Sequence, residues 1–253
     1  MYHTTGCTVE QVDVICGRIA ALIIEGKGIT FPASLGLRRS VVIALTYLKT
    51  NRRQAELAED HGTSQSTISR AITGVTPALK QALAEFVPTA EDLDPQRQYV
   101  VDGTLLPCWS WQSNPELYSG KRKTTGLNLQ FAASIEGRLA WISDPLPGSR
   151  HDAHCLKESG VLNEFPDHGL IGDKGYIGLG MITPYRKPAG RELLDWQKEF
   201  NTQVNKIRYV IERVIANFKT WRITHTDYRR PLSTFAETIS TVIALQFFSL
   251  SRE

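Results

Sequence analysis

The chain has 253 residues, 42% hydrophobic and 22% charged, with 29 Lys+Arg against 26 Asp+Glu and a formal net charge of +3. These proportions exclude a disordered chain and a collagen-like repeat, and the length suits one large domain or a domain with a small module. No run approaches the roughly 18 uncharged apolar residues that a membrane span needs, so no membrane partner is expected. The N-terminus lacks a basic stretch followed by an apolar one, so no export signal is read there. Cys7, Cys16, Cys108 and Cys155 form no C-x-x-C pair. They read as reduced, inert thiols of a cytoplasmic protein, nucleoid-associated if the source is prokaryotic.

Positive charge is concentrated. Leu35–Gln81 holds seven basic and three acidic residues, and Thr183–Pro231 holds eleven basic and five acidic. Two basic blocks in a nearly neutral chain point to a polyanionic partner.

In chain order, residues 1–86 have helical apolar spacing. Within them, about 36–82 reads as a DNA-binding module. Ala55, Leu57 and Ala58 mark one helix, Gly62 a tight turn, and Ile68 and Ile72 the buried face of a second helix capped by Thr63 or Ser64. That second helix is expected to expose Gln65, Ser66, Thr67 and Arg70 toward DNA, the pattern that a helix-turn-helix resembles. A helix over Arg38–Lys49 packs behind, and Arg38, Arg39, Lys49, Arg52 and Arg53 are candidates for backbone contact. Residues 87–98, with two prolines and four charges, read as a linker. A mixed α/β domain is expected over 99–250. Its strands lie at Tyr99–Val101, Leu127–Ile135, Leu139–Ile142 and Leu170-Ile171, with a hairpin turn at Glu136-Gly137. Helices are expected at Asp152–Glu158, about Glu192–Trp221 and about Leu232–Leu250.

Three acids stand out. Asp102 follows the apolar run Tyr99-Val100-Val101 and precedes Gly103. Asp173 follows Leu170-Ile171 between two glycines. Charge after a buried run is costly unless paired or bound to metal. Glu212 lies on the long helix at the edge of its apolar stripe Val204, Ile207, Ile211, Val214 and Phe218, with Arg208 and Lys219 on its own face. A plain Arg208–Glu212 ion pair is the alternative there. Three acids together suit hard-cation chemistry, in which carboxylates hold Mg²⁺ and substrate phosphate completes its shell. His151 and His154 are a weaker metal pair.

The motifs Asp102-Gly103-Thr104, Tyr118-Ser119-Gly120-Lys121-Arg122-Lys123, Pro147-Gly148-Ser149-Arg150-His151-Asp152, Gly172-Asp173-Lys174-Gly175-Tyr176 and Arg208-x3-Glu212-x6-Lys219 occur in that order. The chain resembles DDE transposases of the insertion-sequence-5 and PIF/Harbinger type from about residue 30 to 248. One departure is Asn205, where the family pattern has tyrosine. The resemblance implies an RNase H-like mixed sheet that begins with three antiparallel strands and carries helices on both faces. It implies catalysis by Asp102, Asp173 and Glu212 holding two Mg²⁺ or Mn²⁺ ions, with Asp152 as an alternative ligand. It places Arg208, Lys219, Lys121, Arg122 and Lys123 along phosphate and DNA. It implies cleavage of double-stranded DNA at element ends, strand transfer, and a homodimer or larger assembly on paired ends. A relative that cuts or binds DNA without transposition is the alternative.

Overall fold

The computed structural model describes residues 2–109, 114–165 and 169–251. Packing divides the chain into two compact units, Met1–Val87 together with Lys219–Glu253, and Pro88–Phe218.

The first unit is helical. It contains α1 (Tyr2–Thr5), α2 (Val9–Ile24), α3 (Gly36–Thr50), α4 (Gln54–Asp60) and α5 (Gln65–Ala82). Thr8 opens α2 in a capping box, accepting from the Gln11 N–H while the Gln11 side chain accepts from its own; two otherwise orphaned donors are thereby satisfied. Between α4 and α5 the chain reverses at Gly62, whose φ of +58° favours glycine. Of the two candidate caps, Ser64 fills the role, accepting from the Thr67 N–H at 3.3 Å. Ile68 and Ile72 are buried as the spacing requires, and so are Leu57 and Ala58, but Ala55 is exposed.

The last helix, α8 (Phe235–Leu250), packs along α5 in this same unit. The sheet-bearing domain expected over 99–250 therefore stops, in packing, at Phe218. The reason lies in α8 itself. Eleven of its sixteen residues are buried, so it needs cover on several sides, and an exposed sheet face gives cover on one. Phe248 meets Phe86 edge to face with centroids 5.1 Å apart. Upstream, buried Trp221 donates from its indole Nε1 to Gln246 Oε1 at 3.0 Å. The Lys49 ammonium lies 4.8 Å from that indole's centroid, a cation–π contact that also shields the ring.

The second unit holds the sheet: β1 (Tyr99–Pro107), β2 (Tyr118–Ser119), β3 (Thr124–Ser134), β4 (Leu139–Ile142), β5 (Leu146–Pro147) and β6 (Leu170–Ile171). β3 runs antiparallel to β1, β2, β4 and β5, while β6 runs parallel to β1 on its other side. The expected hairpin turn at Glu136-Gly137 joins β3 to β4. Two helices cover the sheet, α6 (Asp152–Glu158) and α7 (Asp195–Phe218). Strand alternation sorts the faces. Tyr99, Val101 and Ala132 point to the side where Leu156 of α6 and Tyr176 complete a buried cluster. Val100, Leu129 and Phe131 point the other way, where Phe131 meets Phe218 of α7 at 5.2 Å between centroids. A mixed sheet with an antiparallel set β1–β5, the parallel neighbour β6 and helices on both faces fits the RNase H-like arrangement.

Among the described residues no helix is long and apolar enough to cross a membrane. All four cysteines are free. Burial pushes the Cys7 and Cys155 thiols up to about 12, which keeps them protonated and unreactive.

Because α8 covers α5, a fragment ending at Val87 is expected to lose cooperative thermal unfolding, followed by near-ultraviolet circular dichroism. A sharp transition matching that of the full chain would show α8 to be dispensable.

Candidate active site

Asp102 does not end its strand. β1 continues to Pro107, paired with β3 down to Gly126, because Thr104, Leu105 and Leu106 keep the alternation of a two-sided buried strand. An acid inside a strand has its face fixed, and Asp102 shares that of Val100 and Phe131, beneath α7. Its Oδ1 accepts from the Gly103 N–H at 2.8 Å. Burial holds its carboxyl above the ordinary aspartate value; the Gly103 N–H and the Arg208 charge oppose that rise, and the Asp173 and Asp152 charges add to it.

Asp173 reaches the same level through strand register. Tyr99 lies beside Leu170 and Val100 beside Ile171 in the parallel pair. Continued two residues further, this register sets Asp173 beside Asp102. Asp173 Oδ1 accepts from the Gly175 N–H at 2.6 Å and so caps the short turn Lys174–Tyr176.

α7 supplies Arg208 and Glu212 differently. Arg208 is half-buried, and its Nε is buried without a hydrogen-bond partner. Glu212, one turn later, is exposed. The structure thus brings Asp102, Asp173 and Arg208 together, with Glu212 one helical turn beyond Arg208. Among the described residues Arg208 and Glu212 form no ion pair. The long helix is shorter than its apolar period suggests, and Lys219 falls in the turn just after Phe218. Ile207, expected in the buried stripe, is 40% exposed, and Ile215 is buried in addition.

The opposite face of the same strand carries a second arrangement. Gly103 points there, and a Cβ on it would lie 2.6 Å from Asp152 Oδ1 and 2.5 Å from Gln130 Nε2. Only glycine lets these groups approach the strand. Asp152 Oδ1 accepts from Asn128 Nδ2 at 2.8 Å and its Oδ2 from Lys121 Nζ at 3.0 Å. Gln130 donates to Asn128 Oδ1 at 2.7 Å and accepts from the Tyr176 hydroxyl at 2.7 Å. Burial pushes the Asp152 carboxyl up, but the hydrogen bonds from Asn128 and Lys121 and the charges of Lys121 and Arg122 outweigh it and hold the group below its ordinary value. This chain, Tyr176–Gln130–Asn128–Asp152–Lys121, ties three of the sequence motifs to one strand. Sequence reading missed Asn128 and Gln130; the signal was two amides at alternate positions of an otherwise apolar strand.

Lys121, Arg122 and Lys123 form the exposed turn between β2 and β3. With Ser149, Arg150 and Asp152 they border a cleft of about 360 Å³, although Lys123 itself does not line it. His154 pairs with Glu158 at 3.0 Å instead of with His151.

In the helical unit Gln65, Ser66 and Arg70 are exposed as expected. Thr67 is not: it is buried, its hydroxyl 2.9 Å from Ser64 Oγ and 3.2 Å from the donating Arg70 Nη2. The first turn of α5 places it inward, on the side of Ile68. Ser69 and Thr73, which sequence reading missed, share a groove with Gln65; their spacing of four residues from it was the available signal. Several expected backbone contacts are held internally: Arg38 by Asp13, Arg39 by the His61 carbonyl, Arg52 by Asp60 and Glu56.

The sequence description "DDE superfamily endonuclease" matches residues 101–246. The chain belongs to the DDE superfamily of endonucleases. It is 31% identical, over 76% of its own length and 72% of the relative's, to a Streptomyces albus G protein whose name assigns it as the transposase of insertion sequence element IS112. It is 28% identical, over 75% of its length and 72% of the relative's, to a Microchaete diplosiphon protein named for the transposase of insertion sequence element IS702. A human protein, HARBI1, named as a nuclease, is 23% identical over 58% of this chain and 48% of its own length. No solved structure matches. Membership makes this DDE protein an enzyme of the nuclease and transposase class. The family match runs through α7 into α8, so it spans both packing units.

The donor chemistry around Asp102 fits the divalent cation that this superfamily uses. Its side chains offer hard carboxylate oxygens, and Asp102 sits against two other negative charges that a cation would offset. Among the described residues, however, no three His, Cys, Asp or Glu side chains converge as a complete cage.

A raised carboxyl in the folded state means that ionising Asp102 weakens the fold as pH climbs above the ordinary aspartate value of 3.8. Asp102→Asn, which keeps the acceptor for Gly103, is therefore expected to raise the urea midpoint at pH 7, with the gain shrinking as pH falls toward that value. An equal gain at both ends would reject this cause. On the other face, Tyr176→Phe leaves buried Gln130 Oε1 unpaired and is expected to cost about 1–3 kcal/mol in urea unfolding.

Proposed function

We propose that this protein is a transposase of the insertion-sequence-5 and PIF/Harbinger type. It binds the ends of its mobile element through a helix-turn-helix formed by α4 and α5, and it cleaves and joins DNA through Asp102, Asp173 and Glu212. The observation that carries the reading is the pair of acids, one inside β1 and one just past the end of its parallel neighbour β6, with a buried Arg208 N–H beside them that lacks a protein partner. An anionic oxygen is the natural acceptor for a guanidinium hydrogen left unpaired in a buried place.

Asp102 and Asp173 would hold Mg²⁺ or Mn²⁺, as two ions in a paired site, with Glu212 completing the set from α7. Bound there, such ions stabilise charge on the phosphate and lower the pKa of the attacking hydroxyl. Arg208 holds a non-bridging oxygen of the scissile phosphate. Water attacks phosphorus and the bond to the departing 3′ oxygen breaks, which leaves a free 3′-OH. In strand transfer that hydroxyl attacks a target phosphate and displaces another 3′ oxygen. Lys219, Lys121, Arg122 and Lys123 contact the DNA backbone, and Gln65, Ser66 and Arg70 approach the major groove. Asp152 serves as a positioning residue: its bonds to Asn128 and Lys121 on the opposite face favour Asp173 as the second ligand. The partner is double-stranded DNA, at paired ends and target, which implies a homodimer or larger assembly in the cytoplasm or on the nucleoid.

The exposed position of Glu212 favours one alternative, a relative that binds or nicks DNA without transposing.

Purified protein, a labelled duplex carrying the flanks of its gene, and Mg²⁺ or Mn²⁺ test the proposal beside a Glu212→Gln control. Metal-dependent cuts at mirrored positions, absent in the control, and product joined to an added plasmid are expected. Retained but uncut DNA would favour the alternative. Asp173→Asn should abolish cutting while sparing retention, whereas full cleavage by that variant would move the second ligand to Asp152.

A further inference from the structure

The helical unit has a groove of about 490 Å³ beside α5, and its two walls come from opposite ends of the chain. One wall is α4–α5, with Arg52, Arg53, Ser69 and Thr73. The other is Arg229 and Arg230, from the segment that returns after α7.

That segment is anchored on both sides. Asn51, in the left-handed conformation at the end of α3 (φ 47°), donates from Nδ2 to Thr226 Oγ1 at 2.6 Å and to the Asp227 carbonyl at 3.2 Å. The Arg229 guanidinium in turn donates to the Asn51 carbonyl oxygen. Tyr228 is buried, stacks on Phe235 at 4.6 Å between centroids, and shares its hydroxyl with Thr234 and Thr238. Arg230 donates from Nη2 to Thr73 Oγ1 at 3.0 Å, directly on the outer face of α5. The two guanidinium groups are thus fixed, Arg229 at the end of α3 and Arg230 on α5, so little side-chain entropy remains to be lost on binding.

Their charge is unbalanced. Arg52 is paired with Asp60 at 2.6 Å and Glu56 at 3.4 Å, and Arg53 approaches Glu56 at 4.0 Å. Among the described residues neither Arg229 nor Arg230 forms an ion pair. Both donate to neutral oxygens, and a guanidinium has five N–H groups, so most of their donors are uncommitted. Fixed, uncompensated guanidinium groups along one wall of a groove suit a phosphate backbone.

We propose that Arg229 and Arg230 clamp the phosphate backbone of the duplex that α5 reads, so that the DNA-binding surface is composite and is completed by the returning segment. This rests on the helix-turn-helix reading above. It adds two residues outside any N-terminal module and assigns them a sequence-independent role.

The test uses the full-length protein and two labelled duplexes, one carrying the gene's flanks and one of unrelated sequence, with affinity measured across a salt series. The double variant Arg229→Gln/Arg230→Gln is expected to weaken binding to both by about tenfold or more at 0.15 M salt and to leave their ratio unchanged. It is expected to lower the slope of log K against log salt by about 1.8, roughly 0.9 for each lost phosphate contact. Arg229→Lys/Arg230→Lys should keep most of the slope, and Gln65→Ala should weaken binding to the flanks while leaving the slope intact. Weaker binding of the double variant with an unchanged slope would overturn the proposal and make both residues structural. Binding that Gln65→Ala impairs but the double variant leaves intact would overturn this proposal alone. A wild-type protein that retains neither duplex would overturn the helix-turn-helix reading and this proposal with it.

Discussion

The sheet unit is organised around one step of β1, where Asp102 points to one face and Gly103 to the other. Alternation along a strand is a rigid constraint. Asp102 must lie under α7, near Arg208 and level with Asp173. The missing side chain of Gly103 leaves the space that Asp152 and Gln130 occupy. Two arrangements of opposite chemistry therefore stand back to back across a single backbone. One is an acid pair with excess negative charge, and the other is a satisfied polar chain that ends on a lysine.

These arrangements differ in what they do for stability. The chain from Tyr176 to Lys121 is paired throughout, and each member gives its neighbour a partner that water would otherwise supply. Asp102 is only partly compensated: burial and neighbouring charge disfavour its ionised form, and one N–H and one guanidinium oppose them. Shifted carboxyls of this kind concentrate at functional sites. The polar chain holds the Asp173 turn in place from behind through Tyr176, three residues further along.

Chain connectivity adds a second constraint. The helical unit is interrupted by the whole sheet unit and closes only when α8 returns to α5. Its contacts join residues more than 150 positions apart, as between Arg230 and Thr73. Closing so long a loop is slow compared with local helix formation. The two units are therefore linked in one chain by two crossings, and Arg229 and Arg230 arrive only with the second.

Much of this protein was legible in its sequence. Local rules gave the hairpin at Glu136-Gly137, the short strand at Leu170-Ile171, the helix beginning at Asp152 and the Gly62–Ser64 turn, because each depends on neighbours in the chain. Ordered motifs pointed to the family. Local rules failed where partners are distant. Asp102 looked like a strand end until β3 extended the pairing, and Thr67 looked exposed until the capping turn placed it inward. α8 looked like part of the sheet domain until its apolar surface found α5. The sequence named the acids. Only the tertiary structure decided their grouping, since whether two side chains share a face depends on strand register and helix placement, and those are set by burial of surfaces far apart in the chain.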